Sequence, residues 1–177
     1  MKLRIINRLT VLAFGAVIAF TGCSKDDGPI PKNIGIEEVP AMTMNLEPQK
    51  KDNIDTIRVG TPAVFIGKFK VAAIFPDAKR PTKVDIVVRK NASASNVRLF
   101  KADITTFPTS FTVTQADIVT LFGAPTALND TYDFAPDIYV GSKKYEAFPA
   151  VGAGSGSGVV GMNSIGFYEF VRITVKN

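Results

Sequence analysis

The chain has 177 residues, 46% of them apolar, with one cysteine, no histidine, no tryptophan and a formal net charge of +5. Without histidine there is no Ser-His-Asp or Cys-His pair and no ordinary zinc site, and a lone cysteine closes no disulfide within the chain. The basic pairs Lys50-Lys51, Lys79-Arg80, Arg89-Lys90 and Lys143-Lys144 are scattered, each beside turn-like or acidic residues, which argues against a nucleic-acid face.

At the amino terminus Lys2, Arg4 and Arg8 lead into the apolar run LTVLAFGAVIAF at residues 9–20, followed by the small residues Thr21 and Gly22. This run of 12 residues is shorter than the roughly 20 a membrane-spanning helix needs, and the layout is that of a secretory signal over residues 1–22. Cys23 follows at once. No histidine is present to activate its thiol, so its position carries its meaning. The stretch FTGCSKDD resembles the lipobox of bacterial lipoproteins, with Phe20 where that family usually has an aliphatic residue. The resemblance implies cleavage before Cys23, a diacylglyceryl group on its thiol and a third acyl chain on the new amino terminus. At about 0.8 kcal/mol per buried methylene, such an anchor holds a protein on a bilayer without a transmembrane helix. An ordinary secretory signal with an incidental cysteine is the alternative.

The residues after Cys23 refine the address. Ser24, Lys25, Asp26 and Asp27 resemble the lysine-plus-acidic export tag of Bacteroidota lipoproteins, which implies the outer face of the outer membrane; a solvated start to a linker is the plain alternative. Asp55-Thr56-Ile57 resembles the O-glycosylation sequon of the same phylum, with Thr56 as acceptor. Removal of the signal takes away three cations, so 18 of the 21 Lys and Arg remain against 16 Asp and Glu, a net charge near +2.

The 155 residues left when 22 are removed from 177 suit one domain. Residues 23–53 read as the lipidated cysteine and a tether, with Pro29, Pro31, Pro40 and Pro48 among polar residues and one short extended segment at residues 41–46. From residue 54 to 177 the period changes to two. IDTIRVG at 54–60 and PAVFIGKFKVAAIF at 62–75 read as strands, and PDAKRP as a turn. KVDIVVRK at 83–90 puts Val84, Ile86 and Val88 on one face and Asp85 and Arg89 on the other, and VRLFKADI and SFTVT supply further strands. In TQADIVTLFG, Thr114 is a good N-cap, Asp117 sits where a capping-box acid belongs, and Gly123 can end the helix. Ile118, Leu121 and Phe122 share one face of that helix, which serves as a crossover. A last strand is expected over residues 165–175, in a central position. The expected fold is all-β, an antiparallel β-sandwich with one short crossover helix.

The run VDIVVRK, a strand, SFTVTQADIVTLFG, DTYDFAPDIYVGSKKYEAFP, a Gly-rich stretch and a final strand resembles the immunoglobulin-like domains of Bacteroidota surface lipoproteins found beside starch-utilisation-type glycan-uptake systems. It spans residues 83–177, with Asn129 where those domains often have Gly. The resemblance implies an immunoglobulin-like sandwich and a surface-binding or accessory role around polymer capture, with an outer-membrane transporter complex or a polysaccharide as partner. It brings no residue-level functional motif.

A glycosidase needs only two carboxylates, and the chain has 16, but most lie in linkers, turns or outward strand positions, so a non-enzymatic reading is favoured. GSGVVG at residues 156–161 matches a dinucleotide-binding pattern without the helix that must follow it, so the Gly-rich stretch reads as a flexible surface loop. Asn129, Asp130, Asp133 and Asp137 lack the spacing of a calcium loop and read as acids flanking a strand and facing water; no metal or cofactor is expected. Sugar binding uses exposed rings for stacking. Tyr132, Tyr139 and Tyr145 cluster around one expected hairpin, with Lys143, Lys144 and Glu146 nearby, and form the candidate ligand site. Half-buried packing of these tyrosines is the competing view, and a structural or adhesive surface protein, with the domain as spacer or docking unit, is the rival function.

Overall fold

The computed structural model describes residues 38–157 and 159–177. Cys23 and the tag Ser24, Lys25, Asp26 and Asp27 lie outside the described residues. Among the described residues no helix is long and apolar enough to cross a membrane.

Among the described residues, nine strands and one α-helix form in the order β1 (Met42–Leu46), β2 (Ile54–Arg58), β3 (Ile66–Ala73), β4 (Lys83–Lys90), β5 (Val97–Ile104), β6 (Thr109–Thr114), α1 (Gln115–Phe122), β7 (Thr131–Val140), β8 (Lys143–Tyr145) and β9 (Val171–Lys176). One sheet has the order β1-β3-β6; the larger has β2-β9-β7-β4-β5, with β8 paired to β7. The fold is therefore β-dominant with one short helix. It is not wholly antiparallel as expected: β2 runs parallel to β9, Ile54 opposite Arg172 through Arg58 opposite Lys176. Nearly the whole domain serves as the long crossover that parallel neighbours require.

Alternation explains the core. Phe69 and Val71 on β3, Phe111 and Val113 on β6, Ile86 and Val88 on β4, Phe134 on β7 and Ile173 on β9 bury their side chains in one cluster drawn from both sheets. The Phe69 ring meets Phe111 edge-on at 5.2 Å and Phe134 at 4.9 Å between centroids. Such pairs add about 0.5–1.5 kcal/mol each beyond the area they bury. The helix forms as expected. Thr114 accepts from the Asp117 amide, the Asp117 carboxylate accepts from the Thr114 amide, and Gly123 takes the left-handed conformation with φ 66°. Ile118 is buried against the core beside Leu121 and Phe122.

Three expectations need correction. The tether does not reach residue 53: the compact unit begins at Glu38, and β1 buries Met42, Met44 and Leu46 while pairing with β3. The alternation Met-Thr-Met-Asn-Leu sets three apolar side chains on one face, and the prolines flank the strand rather than interrupt it. Asn53 is also buried, donating to the Met44 and Phe170 carbonyls and accepting from the Leu46 amide. The last strand is shorter than residues 165–175, because Val160–Ile165 is a 3-10 helix and only Val171–Lys176 is extended. Nor is the Gly-rich stretch a loop free of the fold. A Cβ on Gly154 would lie 2.1 Å from the Ala147 carbonyl oxygen, and one on Gly156 would lie 2.6 Å from the Glu169 Cβ, so these glycines permit close packing.

Candidate functional site

β7 organises the site because it alternates aromatic and acidic residues on opposite faces. Tyr132, Phe134 and Ile138 point into the core, which leaves Asp133, Asp137 and Tyr139 on the other face. There Asp137 lies opposite Asp85 on β4, Tyr139 opposite Lys83, and Asp133 opposite both Arg89 on β4 and Arg172 on β9. A cover segment at residues 146–157 lies over part of this face. The Ala147 amide donates to Asp137 at 2.7 Å, the Ser155 hydroxyl to the Pro136 carbonyl at 2.9 Å, and Phe148 stacks on the Arg89 guanidinium at 4.0 Å.

The structure separates the three candidate tyrosines. Tyr132 is fully buried, its hydroxyl donating to Asp130 at 3.0 Å, and is not a surface platform. Burial, reinforced by Asp130, pushes its phenol well above the usual range. Tyr139 and Tyr145 are half-buried on opposite sides of the sheet, because Tyr145 pairs with Ile138 rather than with Tyr139. Tyr139 lines a groove of about 370 Å³ together with Asp85, Asp137, Lys144, Glu146 and Phe148, over a floor that includes Val87 and the exposed Leu99. Tyr145 lines a separate cavity of about 640 Å³ with Val39, Ala41, Pro149 and Ser157; Lys144 and Glu146 border both spaces. The hairpin thus does place Tyr139, Lys144 and Glu146 together, and Tyr132 away from them.

Sequence reasoning places Asp85 on an outward strand face and Asp137 in water, and so misses both, together with Phe148, as residues of the groove. A signal existed, since Asp85 and Asp137 each interrupt an apolar strand on its outward side, but their juxtaposition depends on the β4–β7 register.

The acids expected to face water are buried and paired. Asp133 has no exposed side-chain surface and binds Arg172 at 2.6 Å and Arg89 at 3.0 Å. Asp137 binds Lys144 at 2.8 Å, an interaction that, against some desolvation, raises the lysine and keeps it cationic. Burial by itself would raise Asp130, but Lys90, Asn91, the Ala127 amide and Tyr132 outweigh it and hold the carboxyl down to about 2. Tyr139 is shifted upward by burial and by its bond to Asp85. Glu169, beside Arg89 in a cavity of about 200 Å³ under the cover segment, is shifted upward by burial. Among the described residues no three His, Cys, Asp or Glu come together as a metal site. Thr56 sits on β2, half-buried, its hydroxyl 3.4 Å from that of Thr174.

Comparison with protein-family models, curated proteins and solved structures found no match.

Proposed function

We propose that this is a lipid-anchored protein of the outer membrane, facing the cell exterior, with an immunoglobulin-like β-sandwich that serves as a non-enzymatic accessory or binding subunit in glycan capture and uptake. The observation that carries the binding part is the groove beside Tyr139, where an aromatic ring, Phe148, Lys144 and Glu146 converge on one space of ligand size. Anchoring rests on the FTGCSKDD stretch and its resemblance to a lipobox and export tag. Two facing β-sheets with one crossover helix are compatible with the immunoglobulin-like reading. The absence of histidine from the sequence, and the engagement of Asp130, Asp133 and Asp137 by cations, support a non-enzymatic role.

The burial of Tyr132 favours, in part, the second reading, in which the domain is a spacer or docking unit of a structural or adhesive surface protein. Gentle solubilisation of the native outer membrane, followed by identification of co-purifying proteins, separates the two. Recovery with a transporter and glycan-capture lipoproteins supports the accessory role; recovery alone, or with fibre subunits, sinks it. A Cys23→Ser form should leave the membrane fraction if the anchor is real.

A further inference from the structure

We infer that two copies of this chain join edge to edge through β6, in a two-fold pairing centred on Phe111. β6 ends the smaller sheet and pairs with β3 on one side only. The ladder shows what its free side carries. The Ile74 amide donates to the Ala41 carbonyl and the Glu47 amide to the Lys68 carbonyl, so even-numbered residues of β3 address β1 and odd-numbered ones address β6. In the β3–β6 register, Gly67, Phe69 and Val71 stand opposite Val113, Phe111 and Thr109. The amide and carbonyl of Ser110 and of Thr112 therefore point away from the sheet, and among the described residues no backbone group meets them. Both side chains are exposed.

The other edges among the described residues are guarded, as natural sheets guard theirs. β1 is covered, since the Met44 amide donates to the Tyr168 carbonyl at 2.8 Å. β5 slips register twice against β4, holds Asp103 at φ 57° and presents Arg98 and Lys101. β2 carries Asp55 and Arg58, and β8 is only 3 residues long, with Lys143 and Lys144. β6 is regular and uncharged, and its Thr, Phe and Val favour a strand.

A second copy fits this edge in one register. With Phe111 on the axis, Ser110 of each copy meets Thr112 of the other, and each such pair exchanges both of its main-chain bonds. With Ser110 on the axis, Thr112 would face Pro108, which has no amide to give. With Thr112 on the axis, Ser110 would face Thr114, whose amide is already committed to Asp117 at 2.7 Å. The satisfied register also sets Phe111 against its own counterpart, about 4.5 Å apart between Cα atoms, in the seam where Phe100 packs on it at 5.9 Å. The nearby charges permit the pairing. Lys68 and Lys70 stand one strand back, both bound to Glu47, at 3.7 and 3.3 Å. Lys101 lies 5.8 Å from the Phe111 ring, so two lysines approach the axis, and salt screens their repulsion. Association should therefore strengthen as ionic strength rises.

The test is disulfide trapping of the full chain in intact cells under a mild oxidant. Ser110→Cys and Thr112→Cys forms, separately tagged, are expressed alone and together, with the parent chain reporting any link through Cys23. Opposed residues 110 and 112 would have Cα atoms about 5.5 Å apart, within disulfide span, whereas like residues lie on the diagonal, beyond about 7 Å. A linked dimer is expected from the mixture and not from either form alone. Equal linking in all samples would indicate random collision and overturn the inference, as would no linking in the mixture. Linking to a different protein would overturn self-pairing and give the edge to a foreign strand. Sedimentation of the purified full chain in detergent is the second measurement. The parent and Thr112→Val should double in mass as concentration rises. Thr112→Pro, which removes an outward amide, and Thr112→Lys, which places a charge on an exposed position, should lose that association. Dimerisation of the Thr112→Lys form equal to that of the parent overturns the pairing even if Thr112→Pro fails to fold.

Discussion

Arg172 holds Asp133 in a two-point grip, its Nε 2.6 Å from one carboxylate oxygen and a terminal nitrogen 3.0 Å from the other, where Asp133 has no exposed side-chain surface. Arg89 adds a third bond from β4, so three adjacent strands share one buried charge. Removing one partner of a buried pair strands the others, so Asp133→Ala should destabilise the domain by about 3–5 kcal/mol. Denaturant unfolding of the variant checks this; a loss under 1 kcal/mol would show that water reaches the two guanidinium groups.

Asp130 couples the fold to acid. Its folded pKa, about 2, lies below the ordinary 3.8, so it contributes stability at neutral pH that disappears as pH falls from about 4 towards 2. A shift of that size corresponds to about 2 kcal/mol. Glu169 has the opposite sign: burial raises it, so its contribution is present at low pH and fades as pH rises through its folded value. Asp130→Asn should flatten the acid limb of a stability-against-pH curve and leave the Glu169 dependence in place. A limb unchanged in the variant would assign acid sensitivity to other carboxylates.

The cover segment depends on its glycines. With a Cβ only 2.1 Å from the Ala147 carbonyl oxygen, Gly154→Ala must displace backbone that hydrogen-bonds to Asp137. It should lower the unfolding temperature and disturb the groove near Phe148. Gly60→Ala, where nothing lies within 4 Å of the new methyl, is the matched control and should be nearly neutral. Equal melting temperatures for the two variants would contradict the packing role of residue 154.

Thr114 caps α1 with a side-chain oxygen 3.2 Å from the Asp117 amide. Loss of such a cap typically costs about 0.5–2 kcal/mol, so Thr114→Ala should destabilise by about 1 kcal/mol, with Thr114→Ser close to the parent. Chemical denaturation of the three forms side by side is sufficient.

The legible parts of this fold are those whose physics is local. The helix could be read because cap, capping acid and terminating glycine lie within ten residues of one another. β4 could be read at its observed bounds because Val84, Ile86 and Val88 show a two-residue period within eight residues of sequence. β1 was given to the tether because prolines and polar neighbours dominate its surroundings, although its own alternation was already present.

Alternation along β7 puts Tyr132 and Tyr139 on opposite faces, a consequence of their odd spacing that the grouping of the three tyrosines into one site did not use. Tertiary structure decided which of those faces is core, where β8 folds back to set Tyr145 against Ile138, and that Asp85 meets Asp137 across two strands distant in the chain. It also turned the Gly-rich stretch into a packed cover. These outcomes depend on register and on contacts between remote segments, where free energy is shared among many residues and no local pattern encodes the pairing.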